Sequence, residues 1–116
     1  MGKWILLLSV YCFASFGAVD HYDFETVAAS QTDQMCGPNG AAGDVLEKLV
    51  IIPATTSPGA VSIEYGSTNI SVFAGGASSV ADLTPIVLDL GMRAPSGGWE
   101  ITTGANVSAI CIGRFR

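Results

Sequence analysis

Basic residues are scarce in this chain. Five lysines and arginines stand against ten acids, a formal charge of −5 and a pI near 4.4. That balance excludes nucleic-acid binding, which needs a cationic footprint to displace counterions from phosphates. Charge of either sign is sparse, at 13% of residues against 49% hydrophobic. A disordered chain shows the opposite balance. Histidine occurs once, at His21, among Asp20, Tyr22 and Asp23. A Ser-His-Asp site needs a scaffold around its histidine, and a near-terminal segment is a poor place for one. The same cluster cannot converge on one metal ion without a loop. No CxxC or Cys/His zinc spacing occurs. The glycine-rich stretch Gly37 to Gly43 lacks the Lys and Ser/Thr of a phosphate loop. Turn geometry explains its glycines better. No base–nucleophile pair emerges, so an enzyme is not expected; no catalytic, cofactor-binding or metal residue is assigned, and no cofactor.

What is present suits strands. Glycine is high, at 14 of 116 residues, and Ser and Thr are frequent. Such a mix favours short strands and turns over long helices. The length allows one domain with its own core.

Residues 1–17 stand apart. Lys3 supplies a positive start, Trp4 to Phe13 an apolar centre, and Ser15 and Gly17 the small residues of a cleavage site before Ala18. This is the pattern of a secretory signal peptide. The uncharged run Trp4 to Val19 has 16 residues, short of the about 20 a spanning helix needs. Any membrane contact is expected through this segment alone. The alternative is a retained apolar N-terminal arm, buried against a neighbouring subunit. Residues 18–116 form the domain.

Within it, alternation and turn residues predict about seven to eight strands. Tyr22 to Gln31 reads as an edge strand. The β-branched run Val50-Ile51-Ile52, stopped by Pro53, makes 43–55 a strand rather than a helix, with Val45, Glu47, Leu49 and Ile51 on one face. Val61, Ile63 and Tyr65 alternate with Ser62 and Glu64. After a turn at Gly66 to Asn69, Ile70, Val72 and Ala74 alternate with Ser71 and Phe73, the clearest hairpin in the chain. Ile86, Leu88 and Leu90 point inward from a strand over 85–92. Trp99, Ile101 and Thr103 share a face, and Gly104 is expected at positive φ in the turn that follows. Val107 to Phe115 closes the domain with apolar residues on both faces, as a central or interfacial strand does. The fold expected is all-β, an antiparallel, jelly-roll-like β-sandwich.

Several features have a bland and a functional reading. Cys36 and Cys111 remain as a possible disulfide once Cys12 leaves with the leader, but free buried cysteines are the first expectation. Asn69-Ile70-Ser71 and Asn106-Val107-Ser108 are glycosylation sequons, read first as turn asparagines. Trp99, Tyr65 and Phe73 would make a sugar-stacking platform if exposed, but alternating strand positions place them in the core. On the closing strand, Ile110 and Ile112 point opposite to Val107, Ala109 and Cys111. This leftover apolar stripe, with Phe115 at its end, is the candidate interface.

A resemblance enters on five stretches: Ala28 to Thr32, Gly40 to Ile63, Ile70 to Gly76, Val87 to Gly113, and Phe115. Across about three-quarters of its length the chain resembles small virion proteins of tailed bacteriophages, of the head-decoration or fibre type. Its leader-like front lies outside that pattern. It also closes on Arg114-Phe115-Arg116 where an acidic residue is expected. The resemblance implies a non-enzymatic subunit located in the virion, which decorates or stabilises the particle. Its partners would be other virion proteins such as the major capsid protein and further copies of itself, as a trimer if the decoration analogy holds. The leader and the aromatic residues suggest the alternative, a secreted or periplasmic adhesive module that binds a carbohydrate or a surface receptor.

Overall fold

The computed structural model describes residues 22–116. The leader-like segment, Cys12 and His21 lie outside the described residues.

Eight strands and no helix occur among the described residues: β1 (Asp23–Val27), β2 (Gln34–Met35), β3 (Val45–Pro53), β4 (Val61–Tyr65), β5 (Thr68–Phe73), β6 (Ile86–Arg93), β7 (Glu100–Thr103) and β8 (Val107–Arg114). They form two four-stranded antiparallel sheets, ordered β1-β8-β3-β6 and β2-β7-β4-β5. First pairs with last, second with seventh, third with sixth and fourth with fifth. A long hairpin rolled up on itself gives this order, which is that of a jelly roll. The expected sandwich is therefore present, with β1 at a sheet edge and β8 in a sheet centre.

The core lies between the sheets. Leu46, Leu49, Ile51, Val107, Ala109 and Cys111 come from one side, and Val61, Ile63 and Ile101 from the other, all essentially without solvent contact. Trp99, just before β7, is 1% exposed. Its ring meets Tyr65 edge-on at 5.1 Å. Its indole N–H donates to the carbonyls of Asp44 and Met92, each at 3.2 Å. The sugar platform is thereby withdrawn, because the tryptophan it needs is inside.

The inward face of β3 differs from the alternation expected. Leu46 and Lys48 pair with the consecutive residues Gly113 and Ile112 on β8, so Glu47 is an extra residue in the ladder. This β-bulge flips the phase. Leu46, Leu49, Ile51 and Pro53 point inward, while Val45 and Glu47 do not reach the core. A second irregularity lets both Val72 and Phe73 of β5 be half-buried, since Val61 pairs with Phe73 and Ser62 with Ser71. The β4–β5 turn is tighter than expected, only Gly66-Ser67, with Gly66 at φ 54°.

Gly104 is not at positive φ; Asn106 takes the left-handed conformation instead, at φ 61°. Asparagine tolerates it through its short polar side chain. Gly104 is nonetheless required for another reason. A β-carbon there would lie 2.8 Å from the Cα of Gly59. The two backbones are locked at this crossing by Gly59 N–H to Ala105 and Gly104 N–H to Ala60, each 2.8 Å. Gly104→Ala is expected to cost about 1–3 kcal/mol as an overpacking change. Urea titration checks this; an unchanged midpoint would show that the crossing can part freely.

Candidate contact face and carboxylate cluster

The outward residues of the β1-β8-β3-β6 sheet are set by parity. Cross-strand pairing aligns Phe24, Ile112, Lys48 and Asp89 in one row, and Thr26, Ile110, Val50 and Val87 in the next. Ile52 beside Ser108 extends the surface. Phe24 is 70% exposed and Val87 55%. Ile110, Ile112, Val50 and Ile52 are half-buried, as expected for side chains shielded only by lateral neighbours. Six apolar side chains thus share one outer face of a four-stranded sheet. A sheet with one solvated face carries polar residues there.

Charged groups lie both within this face and at its end. Lys48 pairs with Asp89 at 2.9 Å. At the far end, the Tyr22 hydroxyl donates to Glu47 at 2.9 Å, and the Arg114 guanidinium sits 5.3 Å from the Tyr22 ring centre. Arg93 and Arg114 both pair with Val45 from either side.

The stripe expected from the sequence is only partly assembled. Ile110 and Ile112 lie on this face. Phe115 does not: it is 8% exposed and belongs to the inner layer with Cys111 and Gly113. Gly37 leaves room for it, since a β-carbon there would overlap the phenylalanine side chain. The chain beyond is held by the Arg116 N–H donating to the buried Asp44 carboxylate at 2.8 Å, and by the Asn39 amide donating to the Arg116 carbonyl at 2.9 Å. Phe115 therefore does not lie on this outer face, which carries Phe24, Val50, Ile52 and Val87 beside Ile110 and Ile112.

Cys36 and Cys111 form a disulfide, against the first expectation of free thiols. Their Cα atoms are 6.3 Å apart and both side chains are fully buried. The Cys36 N–H donates to the Trp99 carbonyl at 2.8 Å, which holds Cys36 beside β7 and opposite the inward Cys111. The bridge joins the two sheets across the core.

The outer face of the other sheet is mainly polar, with Met35 of β2 as an exposed apolar residue beside Glu100. Glu64 and Ser62 of β4 stand beside Glu100 and Thr102 of β7, and beside Asn69 and Ser71 of β5. Asn69 is thus an exposed strand residue and Asn106 a turn residue. With Asp33 near β2, Glu64 and Glu100 bring carboxylate oxygens within 4.8 Å of one another. Thr102 Oγ1 donates to Glu64 at 2.8 Å and accepts from the Asp33 N–H at 3.0 Å. Such hard oxygen donors are the type that holds a divalent cation. These three residues are far apart in the chain, and only the sheet order unites them. A cleft of about 210 Å³, lined by Met35, Gly40, Gly66, Gly97, Gly98 and Glu100, opens alongside.

The Glu64 carboxyl is pushed above its ordinary range, first by sharing a hydrogen bond with Asp33 and then by desolvation, with Thr102 opposing. A raised folded-state pKa means that Glu64 contributes stability below its ordinary value of 4.5 and loses it as pH rises through the folded value. Glu64 also faces Glu100 directly, a like-charge pair that destabilises by about 0.2–1 kcal/mol. Glu64→Gln is expected to raise stability by that order at neutral pH and not in acid. Urea midpoints at the two conditions check this, and a gap independent of pH would contradict it.

No family model matches this chain, and no curated protein does.

Proposed function

We propose that the protein is a non-enzymatic structural subunit that works by contact through the outer face of the β1-β8-β3-β6 sheet. On this reading it is a virion component of a tailed bacteriophage, decorating or stabilising the particle against other virion proteins such as the major capsid protein. The observation that carries the contact role is the set of six apolar side chains displayed on one sheet, opposite a mainly polar outer face on the other. Apolar side chains grouped on one outer sheet face, rather than scattered singly, support an interaction surface. The phage assignment rests on the sequence resemblance. The jelly-roll order agrees with it at the level of fold alone, an architecture shared by viral capsid and lectin domains.

A second reading is favoured by Cys36–Cys111. Disulfides persist in secreted, periplasmic and surface-exposed proteins and are rare in the cytosol. Together with the leader-like residues 1–17, the bridge supports an exported adhesive module that presents the same face. One experiment separates the two. Particles, periplasm and medium are each analysed by mass spectrometry for the chain, its N-terminal residue and its thiol state. Recovery in purified particles supports the virion component. Recovery as an oxidised chain starting at Ala18, outside the cell and absent from particles, supports the exported module. Recovery only in the cytosol with free thiols contradicts both.

A further inference from the structure

We propose that the occupant of the apolar face is a second copy of this chain, packed face to face about a two-fold axis into a stack of four sheets. This rests on reading that face as a contact surface; it adds the partner and the symmetry.

Charge selects the partner. The chain as a whole carries −5, yet the face and its rim hold Lys48, Arg93 and Arg114 against Glu47 and Asp89. The acidic excess lies elsewhere, so two copies approach here without the mutual repulsion of the whole chain. A strongly basic or acidic partner gains little from a nearly neutral surface with an apolar centre. The centre itself is aliphatic and shared by the two inner strands: Ile110 and Ile112 on β8, Val50 and Ile52 on β3.

The symmetry follows from the opposite face. A head-to-tail stack, of the kind that builds rings, would set these aliphatics on the β2-β7-β4-β5 sheet. That would bury the Asp33, Glu64 and Glu100 carboxylates against hydrocarbon, a costly desolvation. Apolar face on apolar face avoids it, and a contact of like with like is isologous and closes as a dimer. A trimer, as the phage resemblance implies, cannot be built from this contact alone. The size is adequate. Four strands about 4.8 Å apart and about 25 Å long give a footprint of roughly 500 Å². Two such faces together cover about 1,000 Å², the lower bound for a specific interface.

The test is sedimentation velocity of the full-length oxidised protein at tens of micromolar. The wild type is expected to run as a dimer. Val50→Glu and Val50→Lys should each run as a monomer, with self-association weakened at least tenfold, and an equimolar mixture of the two should regain the dimer. Val87→Glu and Val87→Lys form a second pair, since Val87 is 55% exposed and tolerates a charge in the monomer. A monomeric wild type overturns the proposal, whether its N-terminus is Ala18 or Met1; Met1 would point to the apolar leader as the cover. A dimer unaffected by charge at both positions overturns it too, as do mixtures that stay monomeric. Failure here is distinguishable from failure of the functional reading. A monomer recovered from particles removes the dimer and keeps the virion role; a dimer confined to the cytosol with free thiols does the reverse.

Discussion

Loss of the Cys36–Cys111 bridge is expected to lower stability by about 4 kcal/mol. The two cysteines are 75 residues apart, and closing a loop of that length removes roughly this much conformational entropy from the unfolded chain. Small domains are stable by about 5–15 kcal/mol, so the bridge is a large share of the total. The Cys36→Ala, Cys111→Ala double variant should therefore show a urea midpoint far below that of the oxidised wild type. Wild type treated with a thiol reductant should approach the double variant. A difference under about 1 kcal/mol would show that the bridge does not form in the folded protein or does not constrain it.

Trp99→Ala is expected to cost about 3–5 kcal/mol, the range for deleting a large buried aromatic. The ring fills the space between the sheets at 1% exposure, contacts Tyr65 edge-on, and donates one N–H to two carbonyls. Trp99→Phe should cost less. It keeps most of the volume but removes the donor, and the Asp44 carbonyl still accepts from the Ala94 N–H at 2.8 Å. Denaturant titration of both variants checks the order. A Trp99→Ala loss below about 1 kcal/mol would mean that the indole is solvated and would revive a stacking role for it.

Much of the fold is legible in the chain because alternation is a local property. Val61, Ile63 and Tyr65 against Ser62 and Glu64 announce β4, and the two apolar faces of 107–112 place β8 at a sheet centre. The errors have local causes as well. One extra residue, Glu47, inverts the inward set of β3, and no composition signal marks a bulge. Strand β2 has only two residues, too few to alternate. Gly104 reads from the sequence as a positive-φ turn glycine, and this is wrong: its constraint is a crossing with Gly59, 45 positions away, and not its own φ. Phe115 continues the inward parity of Val107, Ala109 and Cys111, which a stripe drawn from Ile110 and Ile112 overlooks. The rest requires topology. The widening of the contact face to Phe24, Val50 and Val87, the gathering of Asp33, Glu64 and Glu100, and the meeting of Cys36 with Cys111 depend on which strands become neighbours.

The nesting of first strand with last has a consequence for biosynthesis. β8 lies between β1 and β3, so neither can complete its hydrogen bonding until Val107–Arg114 has left the ribosome. Until then β1 has no partner, and the β3–β6 pair presents an open apolar edge on the nascent chain. Only β4 and β5, joined by Gly66-Ser67, can close early and locally. Folding is therefore late and dominated by distant pairings, which slows it and lengthens the exposure of sticky strands. Truncation within β8 should leave no folded half-molecule, and the nascent protein should depend on a holdase until its eighth strand arrives.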